Sequence, residues 1–171
     1  AGAVERHQLH TEHTARLVSA ATYGTVIALG ALALATPGDV RSGFGIELVL
    51  GAGLATWVAH GFAELVGDQL RRGDDEEAGW AAIGRSALVG SPILLAALLQ
   101  ALALIPGRLE IVTGRTALWI GLVVGILELV AIGAFVAYVR RMRPGRMWRL
   151  GLAVAAVGVV VVVVKILLGR H

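Results

Sequence analysis

The sequence predicts an all-α integral membrane protein, a bundle of about five transmembrane helices with its N-terminus inside and its C-terminus outside. Three observations carry that expectation. Hydrophobic residues make up 57% of the 171-residue chain, above the ~45–50% apolar usage of soluble domains. The apolar residues fall into five runs, each long enough to cross ~30 Å of hydrocarbon. The arginines gather beside these runs, where they set orientation.

Composition removes several function classes. There is no cysteine, so disulfides, thiolate metal sites and cysteine nucleophiles are excluded. The net charge of +3 arises beside membrane runs and does not point to nucleic acid. Fourteen arginines against the single Lys165, with abundant Ala, Gly and Val, suit a bacterial protein of the inner membrane. Twenty-three glycines suit close helix packing in lipid, because small residues let backbones approach. Residues 1–16, AGAVERHQLHTEHTAR, are a polar juxtamembrane helix rather than a secretion signal. His7, His10 and His13 fan around that helix, and a solvated face is the simpler reading than a metal or pH-sensing pair with Glu12.

Residues 17–168 form one transmembrane domain. The first span, 17–35, carries Ala20-x3-Gly24 and ends at Thr36-Pro37-Gly38-Asp39, a stop signal. The second, 45–66, carries Glu47, Trp57, His60 and Glu64. The hydrophilic loop after it contains Asp74-x2-Glu77, a cap for the following helix. The third, 83–105, contains Pro92, which frees a carbonyl one turn earlier, and Gln100, which needs a partner; it ends at Pro106-Gly107. The fourth, 116–139, sets Gly121, Gly125 and Glu128 on roughly one face. A turn with five arginines, at 140, 141, 143, 146 and 149, leads into the valine-rich fifth span, 150–168. Lys165 there snorkels toward the surface. Trp80, Trp119 and Trp148 fall near span ends, as interfacial anchors do. With the N-terminus inside, ten of the basic residues lie inside and five outside, as the positive-inside rule prefers.

The stretch Trp57–Asp68 holds the strongest chemical signal. His60 and Glu64 are four residues apart, on one helical face, and Asp68 extends the line by a further turn. An ionisable group inside a membrane costs ~2.5 kcal/mol or more on insertion scales. By rise along the helix, Glu47 lies ~13 Å to the outer side of the midplane, His60 ~7 Å and Glu64 ~13 Å to the inner side, with Glu128 close to the middle. If the second and fourth spans are neighbours, these groups form a vertical series of the kind that relays protons. Glu47 points ~140° away from His60 and fits that series least well. Trp57, one turn from His60, either stacks on the imidazole, plugs a pore, or packs against small residues of the first span.

These residues support proton or cation permeation, or proton-coupled transport, through a path of His60, Glu64, Glu128, Glu47 and Trp57. A second expectation is a non-catalytic membrane subunit or scaffold whose buried polar residues hold helices together, with Gln100, Ser91 and Tyr23 in structural roles. A third is a divalent-metal site built from His60, Glu64 and Glu128; no other cofactor is implied. No nucleophile motif, phosphate loop or selectivity-filter sequence appears, which disfavours an enzyme. The expected partners are the lipid bilayer, further copies of the chain, and other membrane subunits.

Overall fold

The computed structural model describes residues 2–72 and 79–141, with Gly145, Arg149, Ala153, Ala156, Val160, Val163 and Leu167 beyond them; its described side chains begin at His13 and omit 68–83, 85 and 86. Every element among the described residues is helical: α1 (Gly2–Leu34), α2 (Pro37–Ser42), α3 (Phe44–Arg72), α4 (Gly79–Arg108) and α5 (Gly114–Val139). Four contain segments long and apolar enough to cross a membrane: His13–Leu34, Phe44–Gly67, Ala87–Arg108 and Gly114–Val139. The chain is an all-helical, multi-pass membrane protein by this measure. The expected fifth span, 150–168, falls largely outside the described residues, as do the side chains of His7, His10, Glu12, Asp68, Asp74, Glu77, Trp80 and Trp148.

The spans alternate in direction, and α1 and α4 form the central pair. Each touches both α3 and α5, while α3 and α5 do not touch one another. The core is made of small and branched residues from the central pair and α5. Ala28, Leu29, Leu32, Ala97, Ala101, Leu104, Ala117, Leu122 and Leu129 are all buried. Glycine sets the spacing. A Cβ on Gly24 would lie 2.6 Å from the Cα of Ile93, so α1 and α4 meet backbone to backbone at this point. On α3, Gly53 is similarly closed in by Ala97.

One element is new relative to the sequence reading. The Thr36-Pro37-Gly38-Asp39 stop signal also starts α2. Asp39 Oδ2 accepts from the Thr36 backbone N–H at 2.8 Å and from its hydroxyl at 2.7 Å, and the Asp39 N–H donates back to Thr36 Oγ1 at 3.3 Å. This is a capping box, with Pro37 in the first turn, where its missing N–H costs nothing. Both hydrogen bonds from Thr36 hold the Asp39 carboxyl below the usual carboxylate range. Gly43, at φ 92°, closes α2 in the left-handed region and hands the chain to α3. A second turn joins the same end of the bundle: a Cβ on Gly107 would meet Val40 Cγ1 at 2.7 Å, and Gly114 lies against the Pro37 carbonyl.

Proline is absorbed within α4, which continues past Pro106 to Arg108 instead of stopping at the expected Pro106-Gly107. The Pro106 carbonyl accepts from Ile111 N–H at 2.9 Å and Val112 N–H at 3.3 Å. At Pro92 the missing N–H orphans the Leu88 carbonyl, and the Ser91 hydroxyl donates to it at 2.8 Å.

The α1–α4 approach gives a paired prediction. Gly24→Ala should lower stability by roughly 1–3 kcal/mol through overpacking. Gly30, with nothing within 4 Å of a built Cβ, should accept alanine neutrally or with a gain of up to ~1 kcal/mol from helix propensity. Thermal unfolding in detergent micelles checks this, and equal losses at both positions would contradict the packing.

Candidate functional site

The polar residues of the spans separate into two sites. The deeper one lies where α1, α4 and α5 meet. Gln100, fully buried on α4, donates from Nε2 to the Thr25 carbonyl of α1 at 3.4 Å and to Glu128 Oε2 of α5 at 3.2 Å. All three residues lie within ~4 Å of the middle of their spans along the helix axis. The Thr25 side chain, also buried, lies beside the Glu128 carboxyl, although its hydroxyl donates to Ala21 O at 2.9 Å.

The sequence builds this meeting point locally. Gly125 sits one turn before Glu128 on α5. A Cβ there would come within 3.0 Å of Gln100 Nε2 and 2.5 Å of Leu29 Cδ2, so glycine opens the room in which the amide reaches the acid. Gly121, a turn earlier, receives Leu32. The expected Gly121, Gly125 and Glu128 face is thus the face that α5 turns to α1 and α4.

Two polar atoms at this site stay unpartnered: Gln100 Oε1 and Glu128 Oε1 are both buried without a hydrogen bond. An unsatisfied buried acceptor costs ~1–3 kcal/mol. No basic group among the described residues compensates. Among the described residues of α1, α4 and α5, the nearest cations along the helices are Arg16 and Arg108, each ~12–14 Å of helix rise from the cluster.

The second site is on α3 facing α4. Trp57 Nε1 donates to the Ala87 carbonyl at 3.0 Å. A Cβ on Gly90 would lie 2.9 Å from Trp57 Cδ1 and 3.7 Å from His60 Cδ2, so this glycine seats both rings. His60 Nε2 is 4.0 Å from Glu64 Oε1, with the side chains 25% and 22% exposed. That separation is too long for a hydrogen bond, and His60 Nε2 is buried without one.

The structure therefore redraws the expected series. His60 and Glu64 share one helical face, as their spacing requires. Glu128 is not in their groove, because α3 and α5 do not touch. Gly90 and Gln100, which mark the two sites on α4, are ten residues apart, or ~15 Å of helix rise. Glu47 is exposed in the first turn of α3, away from both. The ligand set His60, Glu64 and Glu128 is not assembled, and no group of three metal-ligating side chains occurs among the described residues. Trp57 packs on α4 rather than on the first span. Ser91 bonds within its own helix, and Tyr23 is 53% exposed, so neither links helices through a described contact. Gln100, expected to need a partner and to help hold helices together, joins α4 to both α1 and α5. Thr25, which the sequence reading passed over, supplies one acceptor through its backbone, and backbone acceptors leave no trace in residue type.

An all-helical fold with four membrane-length apolar helices and a polar cluster at mid-span defines a multi-pass membrane protein with a half-buried acid in its core. The chain matches no protein-family model, and comparison with curated proteins and with solved structures finds no match.

The two orphaned oxygens yield a double-mutant prediction. Gln100→Leu should lower stability by ~1–3 kcal/mol, because Glu128 loses its donor. Adding Glu128→Leu should recover much of that loss, since an apolar pair leaves nothing unsatisfied. Additive losses in thermal unfolding would show that the two side chains do not interact.

Proposed function

We propose that this protein carries out proton or cation permeation, or proton-coupled transport, with Glu128 as the central ion-binding group. One observation supports this above the others: a carboxyl oxygen is buried at mid-span beside neutral groups, with no counter-cation near it among the described residues. A carboxyl used only as a structural link would be served as well by an amide, which carries no charge to neutralise. An acid at that depth is suited to bind and release a positive species.

His60 and Glu64 act in this reading as a separate exchange group, ~7–13 Å from the middle of the span toward the α3 C-terminal side. An imidazole can both accept and donate a proton, which suits that position. The proposal keeps a fifth span at 150–168, an inside N-terminus and an outside C-terminus, on the strength of the arginine distribution. It also keeps a bacterial inner membrane and a homo-oligomeric assembly.

A second reading rests on its own observation. Gln100 joins three helices through a single amide, which favours a non-catalytic subunit held together by polar links. Such links contribute ~0.6–2 kcal/mol in membranes, enough to fix register.

Flux into proteoliposomes under an imposed potential separates the two. Glu128→Gln, which keeps an acceptor for Gln100, should abolish flux while preserving the fold. His60→Ala should slow flux without abolishing it. Unchanged flux in a well-folded Glu128→Gln protein would remove the transport reading. No flux in the wild type would leave the structural one.

A further inference from the structure

We propose that the species held at the Gln100–Glu128 site is a proton, bound on Glu128 Oε1 and donated to Gln100 Oε1, so that acid and amide form a closed pair. The inference rests on the reading of Glu128 as the ion-binding group and names its ligand.

The Thr25 carbonyl fixes the amide. A backbone carbonyl only accepts, so the side of Gln100 turned to Thr25 must be Nε2, which donates there at 3.4 Å. The same nitrogen donates to Glu128 Oε2 at 3.2 Å. This leaves one oxygen on each side chain, Gln100 Oε1 and Glu128 Oε1, buried and without a donor. Both are acceptors, so neither can satisfy the other while Glu128 is a carboxylate. One proton on Glu128 Oε1 turns that atom into a donor, and the free acceptor is Oε1 of Gln100, whose amide is already bonded to the other carboxyl oxygen. Carboxylate plus proton gives the acid; no other bond forms or breaks, and release restores the carboxylate.

The surroundings favour a proton over a metal cation. A cation of sodium size draws on several oxygens at once, as hard cations generally do. Here the Thr25 carbonyl and Glu128 Oε2 already receive the amide N–H groups, and the Thr25 hydroxyl donates its hydrogen to Ala21 O. Positive amide hydrogens point into the space a cation would occupy. Among the described residues, the groups facing Glu128 are otherwise uncharged. From α1 they are Thr25 and, one turn away at Gly125, Leu29; from α4 Gln100; and α2 brings Asp39 and Arg41 only at the end of the bundle. Among the described residues of α1, α4 and α5, the one other ionisable side chain near this depth is Tyr23, two residues from Thr25, and it is 53% exposed.

Infrared difference spectroscopy of the full chain in lipid, with exchange into deuterium oxide, tests this. At neutral pH the wild type should show a protonated carboxyl C=O band that shifts on deuteration. The band should be lost in Glu128→Gln and move to higher frequency in Gln100→Leu, where the O–H loses its acceptor. Added sodium chloride should leave it in place. The inference is overturned if folded wild type shows only carboxylate bands at neutral pH, if Glu128→Gln keeps the acid band, or if sodium converts it to a carboxylate. Should Gln100→Leu fail to fold, the near-isosteric Glu128→Gln decides the matter alone. Flux that needs Glu128 without an acid band would sink the proton and spare the transport reading; an acid band without flux would do the reverse.

Discussion

A hydrocarbon interior offers no water to a polar group, so each amide, acid or imidazole placed there must find its partner inside the protein. In this chain that constraint falls on Gln100. Its amide reaches a backbone carbonyl of α1 and a carboxyl of α5 from α4, and it bonds to both neighbours at once. The register of the three helices follows. Gly125 makes room for the amide, Gly24 lets α1 close on α4 at Ile93, about two turns before Gln100, and Leu29 and Leu32 fill the space around them. Moving any of these helices by one residue would turn the Thr25 carbonyl or Glu128 away from the amide.

The same constraint explains why the molecule has two polar sites rather than one path. α4 presents one face to α3 and another to α1 and α5. Trp57 and His60 sit on the first through Gly90, near one end of the span. Glu128 sits on the second, near the middle. A route between them must pass along or around α4, over ~15 Å of helix rise. That separation makes Glu128, rather than the His60–Glu64 pair, the centre of the functional account. The pair lies closer to the end of its span and is partly exposed.

Much of the fold was legible in the sequence. Hydrophobic runs of membrane length located the four spans to within about four residues, because the bilayer imposes one length on all of them. The glycine face of α5 was legible from its spacing. The neighbours of each helix were not, since hydrophobic runs are alike from every side and say nothing of order around a bundle. That is why His60, Glu64 and Glu128 looked like one column when only depth was known. The capping box of α2 was present in the residues Thr36 and Asp39, but a proline-glycine stop signal masks a short helix that starts on the same residues. The role of Thr25 was hidden altogether, because it acts through a carbonyl that every residue has.

The central claim is that Gln100 and Glu128 touch at mid-membrane and are apart from His60. Solid-state NMR on the protein in lipid bilayers measures this directly, through the dipolar coupling between the Gln100 side-chain nitrogen and the Glu128 carboxyl carbon. The account predicts a strong coupling for that pair and none between the Glu128 carbon and the His60 ring nitrogens. No coupling to Gln100, or a measurable one to His60, would contradict it.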